Sequence, residues 1–378
     1  MATGSMTYSS QWTAAAVAAI GDTQLPAAPL ITAEASKRLL PGIDLWDHWP
    51  VQELDGSVAQ IAGGALMMML SAPEQPDPDA RHAIARIRLM HRTPSGWTDL
   101  GLLLPDEHCP GSREWAGSAV ISPDHRRLTL YFTAAGVAGE ARTSFTQRLF
   151  ETAATLSVEQ GQVVLGAWST PRESVEPDDE YYMREMEGGG GIGTIKAFRD
   201  PAFFRDPADA REYLLFTASL AGSTSPWNGV VGIARRTAEG GWALLPPLLA
   251  ADGLNNELER PHVIVRDDLY YLFWSTQRRV FAAGGPSGPN GLYGMVADRL
   301  AGPWRPINGT GLVLANPPEA PYQAYSWLVL ADLRVLSFVD LVGLDRMPRD
   351  ASEARAHFGG VPAPVLSLRL CGDRAMLA

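Results

Sequence analysis

The chain has 378 residues, of which 46% are hydrophobic and 19% are charged, and its formal net charge is -11. This composition is typical of a folded protein with a large core. The acidic balance disfavours a nucleic-acid partner, because a negative surface repels phosphate. No apolar run reaches the ~18 residues of a membrane span, so we expect no membrane association.

The cysteines and histidines give no sign of a metal centre. Cys109 and Cys371 are the two cysteines, which excludes a Cys-rich zinc site and a disulfide framework. Whether these two pair with each other stays open. The seven histidines show no metal-ligand spacing. We therefore expect neither a metal nor a cofactor.

The first predicted element is a short helix in the stretch "TAAAVAAIGD", residues 13–22, since helical periodicity is weak outside residues 11–20. We expect residues 1–35 to form an N-terminal segment that packs on a single catalytic domain spanning residues 36–378. No basic residue precedes the apolar stretch, since the first is Lys37, so it does not match a secretory signal. The sequence leaves the location of the protein open.

From residue 46 onward the chain repeats one pattern. A polar cluster precedes a short apolar strand, a turn with Asp or Pro follows, and a strand rich in Leu, Tyr and Phe ends the unit. This pattern is typical of β-hairpins. The units span residues 46–72, 113–136, 198–222, 259–277 and 322–340.

The spacing of these units predicts the architecture. The polar clusters recur at intervals of roughly 60 to 85 residues, which leaves room for about four strands in each unit. The sequence therefore predicts an all-β fold, a five-bladed β-propeller with a central funnel-shaped active-site pocket. A pair of β-sandwich domains is the alternative. We favour the propeller because every polar cluster precedes the first strand of its hairpin, so the clusters would converge on one axis.

Three acidic residues stand in these clusters. Asp47, Asp200 and Glu259 are expected at equivalent positions of three units, which would bring them together at the axis. Retaining glycoside hydrolysis uses two carboxylates about 5–5.5 Å apart, one as nucleophile and one as acid/base. A third carboxylate can hold sugar hydroxyls. The three clusters thus indicate chemistry on a sugar.

The flanking residues fit the same interpretation. Trp46, Trp49 and Trp115 offer apolar faces for a sugar ring. Arg199 and Arg260 adjoin two of the acidic residues and can orient them or keep them ionised. Taken singly, an "RDP" or "ERP" tripeptide is usually a turn with a surface ion pair. Three such clusters in one chain favour a functional site.

Five motifs, "DLWDHWP", "REWAGSA", "FRDP", "ELERPH" and "QAYSW", occur in this order and resemble glycoside hydrolase family 68. Members of that family are levansucrases, inulosucrases and bacterial β-fructofuranosidases that act on sucrose. The resemblance implies that Asp47 is the nucleophile toward C2 of the fructosyl unit. It implies that Glu259 is the general acid/base and that Asp200 stabilises the transition state.

The resemblance also implies a set of substrate-binding residues and a set of small-molecule partners. The residues are Trp46, Trp115, Arg199, Glu257, Arg260, Gln277 and Tyr325. The partners are sucrose and the fructosyl acceptors water, sucrose and growing fructan. Family members often carry Ser where this chain has Ala116, and Arg or His where it has Gln277, so the extent of chain growth stays open. The oligomeric state stays open as well.

Several alternatives remain at this point. A levansucrase-type transferase with substantial hydrolysis leads, and a mainly hydrolytic β-fructofuranosidase is the runner-up. Another propeller glycosidase, acting on arabinan or fructan polymer, would normally show an N-D-P-N-G-like motif, which is not present. A non-catalytic sugar-binding propeller would have no need of three carboxylates. The glycine-rich stretch at residues 187–196 is interpreted as a loop near the Asp200 cluster.

Overall fold

A computed structural model describes residues 8–22, 25–184 and 195–378. Strands predominate, which confirms the all-β prediction. The described helices are α1 (Ala14–Ala18), α2 (Ala351–His357) and the 3-10 helices Ala19–Asp22, Pro78–Ala83, Arg278–Val280 and Ile307–Gly309. Helix α1 confirms the predicted N-terminal helix, whereas α2 was not anticipated. None of the helices in the described ranges has the length and apolar character needed to cross a membrane.

The strands form consecutive antiparallel sets along the chain. The first set comprises β1 (Ile43–Gln52), β2 (Gln60–Ile61), β3 (Gly64–Pro73), β4 (Arg86–Thr93) and β5 (Gly96–Leu102). The second comprises β6 (Arg113–Ile121), β7 (Arg127–Ala135), β8 (Gln147–Glu159), β9 (Gln162–Trp168) and β10 (Arg172–Val175). The third comprises β11 (Phe198–Arg205), β12 (Glu212–Ser219), β13 (Gly229–Arg236) and β14 (Trp242–Ala250).

Two further sets complete the described chain. The fourth comprises β15 (Glu259–Arg266), β16 (Leu269–Thr276), β17 (Gly291–Ala297), β18 (Arg305–Pro306) and β19 (Leu312–Ala315). The fifth comprises β20 (Ala324–Val329), β21 (Arg334–Leu341), β22 (Phe358–Pro362), β23 (Leu366–Cys371) and β24 (Arg374–Leu377). Each predicted hairpin is present as an antiparallel pair: β1 with β3, β6 with β7, β11 with β12, β15 with β16 and β20 with β21.

Hydrogen bonding joins the first two sets into one ten-stranded sheet. The link is a short parallel pairing of β1 with β6, in which Val51 lies opposite Ala119 and Gln52 opposite Val120. The other three sets form separate sheets of four, five and five strands. Antiparallel neighbours joined by short turns account for nearly all of the pairing, as expected for hairpin-rich sequences.

The first strands of the sets lie side by side. β1 contacts β6, β6 contacts β11, β11 contacts β15 and β15 contacts β20, while β1 also packs against β21 and β22 of the last set. These first strands are mostly buried, because other strands flank them. Side chains at their leading ends are thereby brought close together although they are far apart in sequence.

Each first strand carries a β-bulge near its leading end. One extra residue is inserted between Trp46 and Trp49, Trp115 and Gly117, Arg199 and Ala202, Glu259 and His262, and Tyr325 and Leu328. Four of the bulges hold a non-glycine residue at positive φ: Asp47 (42°), Asp200 (61°), Arg260 (51°) and Ser326 (61°). Such a conformation costs free energy, and bulges of this kind are common next to active sites because they re-aim side chains.

Candidate active site

The bulged ends of the first strands line a cavity of about 400 Å³. It contains ten of the residues that the sequence singled out: Trp46, Asp47, Trp115, Arg199, Asp200, Glu257, Glu259, Arg260, Gln277 and Tyr325. They come from the first strands of all five strand sets, from the loop before β15 and from the position just after β16. Residues that are remote in the chain therefore share one site.

The bulges correct one detail of the sequence prediction. Asp47 and Asp200 occupy equivalent bulge positions at positive φ. Glu259 stands one residue earlier in its strand, and Arg260 occupies the equivalent bulge position. The expectation that all three acidic residues are equivalent was wrong, because the sequence pattern does not mark where the extra residue falls. Glu259 nevertheless reaches the same cavity.

Asp47 lies in β1 between acidic and basic neighbours. Burial raises the pKa of its carboxyl group, whereas the Arg260 guanidinium and a hydrogen bond from the Ser326 side chain lower it. The nearby charge of Glu259 raises the pKa again, which places the two carboxylates within electrostatic reach of each other. Asp47 is therefore a partly buried carboxylate with compensating contacts to two other strands.

Asp200 is almost fully buried, and hydrogen bonds hold its carboxylate in place. Its Oδ2 atom accepts hydrogen bonds from Thr217 Oγ1 (3.2 Å) and from the backbone N–H of Arg260 (3.3 Å). The backbone N–H of Asp200 donates to Thr133 Oγ1 at 2.9 Å. Burial raises the pKa of Asp200 to about 6, against the opposing charge of Arg199. These bonds leave the second carboxylate oxygen, Oδ1, available to a ligand.

Arg199 connects the acidic residues. Its Nη2 donates to Glu259 Oε1 at 2.8 Å and lies 3.3 Å from Glu257 Oε2, while its Nε lies 3.7 Å from Asp200 Oδ2. Tyr325 donates its hydroxyl hydrogen to the other oxygen of Glu259. Both oxygens of Glu259 are thus held, which fixes its orientation in the cavity.

Three carboxylates surround the guanidinium of Arg199, so negative charge exceeds positive charge there. Together with burial, the excess helps to raise the pKa values of Asp200 and Glu257, which favours their protonated forms. Burial would lower the pKa of Arg199, but the charges of Glu257, Glu259 and Asp200 outweigh it and raise that pKa. Burial raises the pKa of Glu257 to about 7, and the charge of Glu259 adds to the effect. Acid catalysis near pH 6 needs a proton source in such a site.

Arg260 links three first strands at the floor of the cavity. Its Nη2 donates to the His48 carbonyl at 3.0 Å, and its Nη1 donates to Ser326 O (3.1 Å) and Ser326 Oγ (2.7 Å). Burial lowers the pKa of Arg260, while the charge of Asp47 raises it. The guanidinium therefore serves as a structural link and as the counter-charge of Asp47.

Two of the three tryptophans behave as expected. Trp46 and Trp115 line the cavity, and the indole N–H of Trp115 donates to the His82 carbonyl at 3.2 Å. Trp49 does not line it. It lines a second cavity of about 500 Å³ that shares Asp200 and Arg260 with the first. The prediction for Trp49 was wrong, because Trp46 and Trp49 line different cavities.

The sequence did not single out several cavity residues, among them Arg81, Ser326 and Asp340. Ser326 lies inside the "QAYSW" motif, so its neighbourhood was visible in the sequence. Arg81 comes from the 3-10 helix Pro78–Ala83, and Asp340 from the end of β21. Neither stands in a polar cluster that precedes a strand, so the pattern that revealed the other residues could not reveal them.

The histidines next to the motifs are structural. Burial lowers the pKa of His48 to about 3 and that of His262 to about 4, so both are neutral near pH 6. The Nε2 atom of His262 accepts a hydrogen bond from the backbone N–H of Val329 at 2.9 Å. Within residues 8–22, 25–184 and 195–378, no three His, Cys, Asp or Glu residues are arranged to hold a metal ion.

The remaining predictions concern the rim of the cavity. Gln277 lies at the start of the 3-10 helix Arg278–Val280, and its side chain hydrogen-bonds to Tyr325. Most of the glycine-rich stretch, residues 187–196, lies outside the described residues. Its last two residues are described: Ile195 lines the cavity, and Lys196 Nζ donates to Asn228 Oδ1 at 2.8 Å.

A cavity in which several carboxylates, an arginine and tryptophan faces converge is typical of enzymes that process glycosides. The chain belongs to glycoside hydrolase family 68. The model of that family, described as "Levansucrase/Invertase", matches residues 2–239 and 223–378. The resemblance of the motifs to this family is therefore confirmed.

Individual relatives agree with this assignment. The chain is 32% identical over 375 residues to levansucrase Lscbeta of Pseudomonas syringae pv. actinidiae, covering 88% of this chain and 82% of that protein. It is 31% identical over 382 residues to a levansucrase of Rahnella aquatilis, with 88% and 85% covered.

Solved structures give the same picture. The inulosucrase from Halalkalicoccus jeotgali bound to kestose superposes with a TM-score of 0.87 at 37% identity, covering 97% of this chain and 94% of that one. The levansucrase from Gluconacetobacter diazotrophicus, at 22% identity and a TM-score of 0.84, covers 99% and 90% and supports the fold alone.

Proposed function

We propose that this protein is a retaining fructosyl-transferring and hydrolysing enzyme that acts on sucrose. It would release glucose and pass the fructosyl unit to water, to sucrose or to a growing fructan. The observation that carries the proposal is the meeting of Asp47, Asp200 and Glu259 in one cavity of a family 68 chain. The names of the relatives, levansucrases and an inulosucrase, agree with this substrate class.

The proposed reaction has two steps. Asp47 attacks C2 of the fructosyl unit while Glu259 gives a proton to the glycosidic oxygen, so glucose leaves and a fructosyl ester forms on Asp47. Glu259 then takes a proton from water or an acceptor hydroxyl, and that oxygen displaces the Asp47 carboxylate from C2. Asp200 holds fructosyl hydroxyls and stabilises the positive charge that develops on the ring.

The neighbouring residues would position the substrate. Trp46 and Trp115 offer their faces to the fructosyl ring, and Arg199 holds both Glu259 and Glu257 for the glucosyl side. Tyr325 and Gln277, which hydrogen-bond to each other, stand where an acceptor would enter. Gln277 is neutral and still donates and accepts hydrogen bonds, so it suits both water and sugar acceptors.

We also propose an architecture for the whole chain. The strand sets would be the blades of a five-bladed propeller, with the ten-stranded sheet counted as two blades joined by the short pairing of β1 with β6. The side-by-side first strands and the contact of β1 with β21 and β22 support a ring of blades. Residues 36–378 would form one catalytic domain on which residues 1–35 pack.

A direct assay tests the function. The protein is incubated with sucrose between about pH 4 and pH 7, and released glucose and fructose are measured. Equal amounts of the two sugars would identify the mainly hydrolytic β-fructofuranosidase, and a deficit of fructose would identify transfer. Binding of sucrose without any glucose release would leave only the non-catalytic sugar-binding alternative.

The roles of the two central carboxylates are tested by Asp47→Asn and Glu259→Gln. We expect each to lower kcat roughly 10³- to 10⁵-fold, because each removes a group that takes part in bond making. Asp99→Asn is the matched control, since it removes a carboxylate paired with Arg88 (2.7 Å) away from the cavity. Near-normal turnover in either cavity variant would remove that residue from its role.

The proposed fructosyl ester on Asp47 can be detected directly. Glu259→Gln still carries the nucleophile but cannot protonate a glucosyl leaving group, so the donor used is a fructosyl fluoride, whose fluoride leaves without a proton. Acid quenching should then trap a fructosyl unit on the peptide that contains Asp47, because the base for the second step is missing. Mass spectrometry of the digested protein measures this adduct. An adduct on another peptide would contradict the assignment of Asp47.

A further inference from the structure

A further carboxylate, that of Asp340, lies in the wall of the proposed sucrose cavity. It stands near the end of β21, and its backbone N–H donates to Gln323 O at 2.9 Å. Its carboxylate is partly buried, yet it receives no hydrogen bond and forms no ion pair among the described residues. A half-buried carboxylate without partners is costly, so a ligand that completes its hydrogen bonds would be favoured there.

Arg81 lies on the same side of the cavity and is only 5% exposed. Its guanidinium carbon lies 5.3 Å from the ring centre of Trp46 and 4.5 Å from that of Phe358. Among the described residues, its Nη1 donates hydrogen bonds to Pro78 O (2.7 Å) and Asp79 Oδ1 (3.3 Å). Its buried Nε has no partner in the described part of the chain. The two rings hold the guanidinium in place while part of its donor capacity stays unused.

Both groups adjoin the proposed nucleophile. The positive charge of Arg81 lowers the pKa of Asp47, and the charge of Asp47 contributes to the raised pKa of Asp340. Burial is the main cause of the raised pKa of Asp340, and Arg81 opposes it. The charges around Asp340 are therefore Arg81, Asp79, Arg279 and Asp47. The acid/base Glu259 belongs to the other group, around Arg199.

This placement assigns the pair to one half of the substrate. In the proposed reaction, the ring attacked by Asp47 is the fructosyl ring, and Glu259 serves the departing glucosyl oxygen. Groups that flank Asp47 and are separate from the Arg199 group therefore face the fructosyl ring. We propose that Arg81 and Asp340 form a hydroxyl-binding pair for the fructosyl unit, with Arg81 as donor and Asp340 as acceptor. This inference rests on the proposed function.

Inhibition by free fructose and by free glucose distinguishes the proposed fructosyl side of the cavity from the proposed glucosyl side. Asp340→Asn keeps the size of the side chain and removes its charge, so the variant should fold like the parent. We expect the inhibition constant for free fructose in the sucrose assay to rise roughly 10-fold, since a charged acceptor is replaced by a neutral and weaker one. The inhibition constant for free glucose should change less than about twofold.

Two further variants, Glu257→Gln and Arg81→Lys, test the assignment independently. Glu257→Gln, on the proposed glucosyl side, should raise the inhibition constant for glucose more than that for fructose. Arg81→Lys should behave like Asp340→Asn, because a lysine cannot present the same fork of donors. Thermal unfolding and near-ultraviolet circular dichroism of each variant show whether the fold is retained.

The outcomes distinguish this inference from the proposed function. If the parent protein releases no glucose from sucrose, the proposed function fails. If the parent is active and Asp340→Asn leaves the fructose constant unchanged, or raises both constants equally, the hydroxyl-binding pair is overturned and the function stands. A selective loss of fructose inhibition supports the pair.

Discussion

At the scale of single residues, Asp47 depends on contacts that adjust its charge. Burial favours the protonated form, while Arg260 and the Ser326 side chain favour the ionised form. A carboxylate nucleophile reacts in its ionised form, so these contacts extend the reactive range toward lower pH. Ser326 sits at the bulge of β20 at positive φ, the position that Asp47 occupies in β1. One bulge thus supplies the proposed nucleophile, and another supplies a hydrogen bond that favours its ionised form.

We predict that Ser326→Ala moves the acid limb of the kcat/KM profile to higher pH. Loss of one hydrogen bond to the carboxylate raises the pKa of Asp47, and a shift of roughly 0.5 to 1 pH unit corresponds to about 1 kcal/mol. Initial rates of glucose release from sucrose across the pH range measure the limb.

Ser118→Ala is the control for this prediction. The Ser118 hydroxyl accepts from the backbone N–H of Phe203 at 2.9 Å and lines the second cavity, away from Asp47. Its acid limb should stay in place. An unshifted limb in Ser326→Ala would show that Ser326 does not set the ionisation of Asp47.

At the scale of elements, the bulges decide which side chains meet. In β6 the bulge brings the backbone of β7 so close to Gly117 that a Cβ there would lie 1.9 Å from the Tyr131 carbonyl oxygen. Such contact with backbone cannot be relieved by a side-chain rotation. The cavity residue Trp115 lies two positions before this glycine. The geometry of the bulge and the placement of Trp115 are therefore coupled.

We predict that Gly117→Ala lowers the free energy of unfolding by about 2 to 4 kcal/mol, because β6 and β7 must separate locally. Denaturant unfolding measures this loss. Gly241→Ala is the control, since a Cβ at that position meets only Thr237 Oγ1, at an ordinary 3.6 Å, and should change stability by less than about 0.5 kcal/mol. Equal stability of the two variants would contradict the close approach.

The strands were largely predictable and the bulges were not. Alternating apolar residues around turns revealed all five leading hairpins, because that pattern reflects one buried face and one turn. An inserted residue changes the face of everything that follows, and no residue type marks it. This explains the one-residue offset of Glu259. The short α2, which contains no buried residue, left no apolar period to detect.

The site was predictable where a residue stood in a repeated motif. Asp47, Asp200 and Glu259 lead strands, and the repetition of their clusters identified them. Asp340 lies at the far end of a second strand, and Arg81 in a short 3-10 helix. Their places in the cavity depend on how neighbouring sets pack, which the sequence of one set does not encode.

At the scale of the whole molecule, the N-terminal segment crosses three strand sets. The backbone N–H of Trp12 donates to Ala250 O (2.8 Å), that of Ala28 to Ala315 O (2.8 Å) and that of Ile31 to Gln323 Oε1 (2.9 Å). Trp12 is fully buried, with its ring 5.2 Å from Trp274 and its indole N–H bonded to Thr310 O at 3.0 Å. The segment therefore adds contacts between sheets that share no hydrogen-bonded strands.

We predict that Trp12→Ala lowers the free energy of unfolding by about 3 to 5 kcal/mol, the cost of removing a large buried aromatic side chain. Trp97→Ala, at a half-buried position on β5, should cost about 1 kcal/mol or less. Denaturant unfolding of both variants measures the difference. Similar losses would show that residues 1–35 contribute little to the packing of the catalytic domain.

The hydrogen bonds of Arg260 join parts of the chain that the ribosome synthesises at different times. Its guanidinium binds the carbonyl of His48, which lies 212 positions earlier, and both polar atoms of Ser326 in β20. A ribosome synthesises Asp47, the proposed nucleophile, early, and it synthesises Arg260 and Ser326, which favour the ionised form of Asp47, late. We expect a nascent polypeptide to stay catalytically silent until β20 has left the exit tunnel, so turnover begins only when translation of the fold is nearly finished.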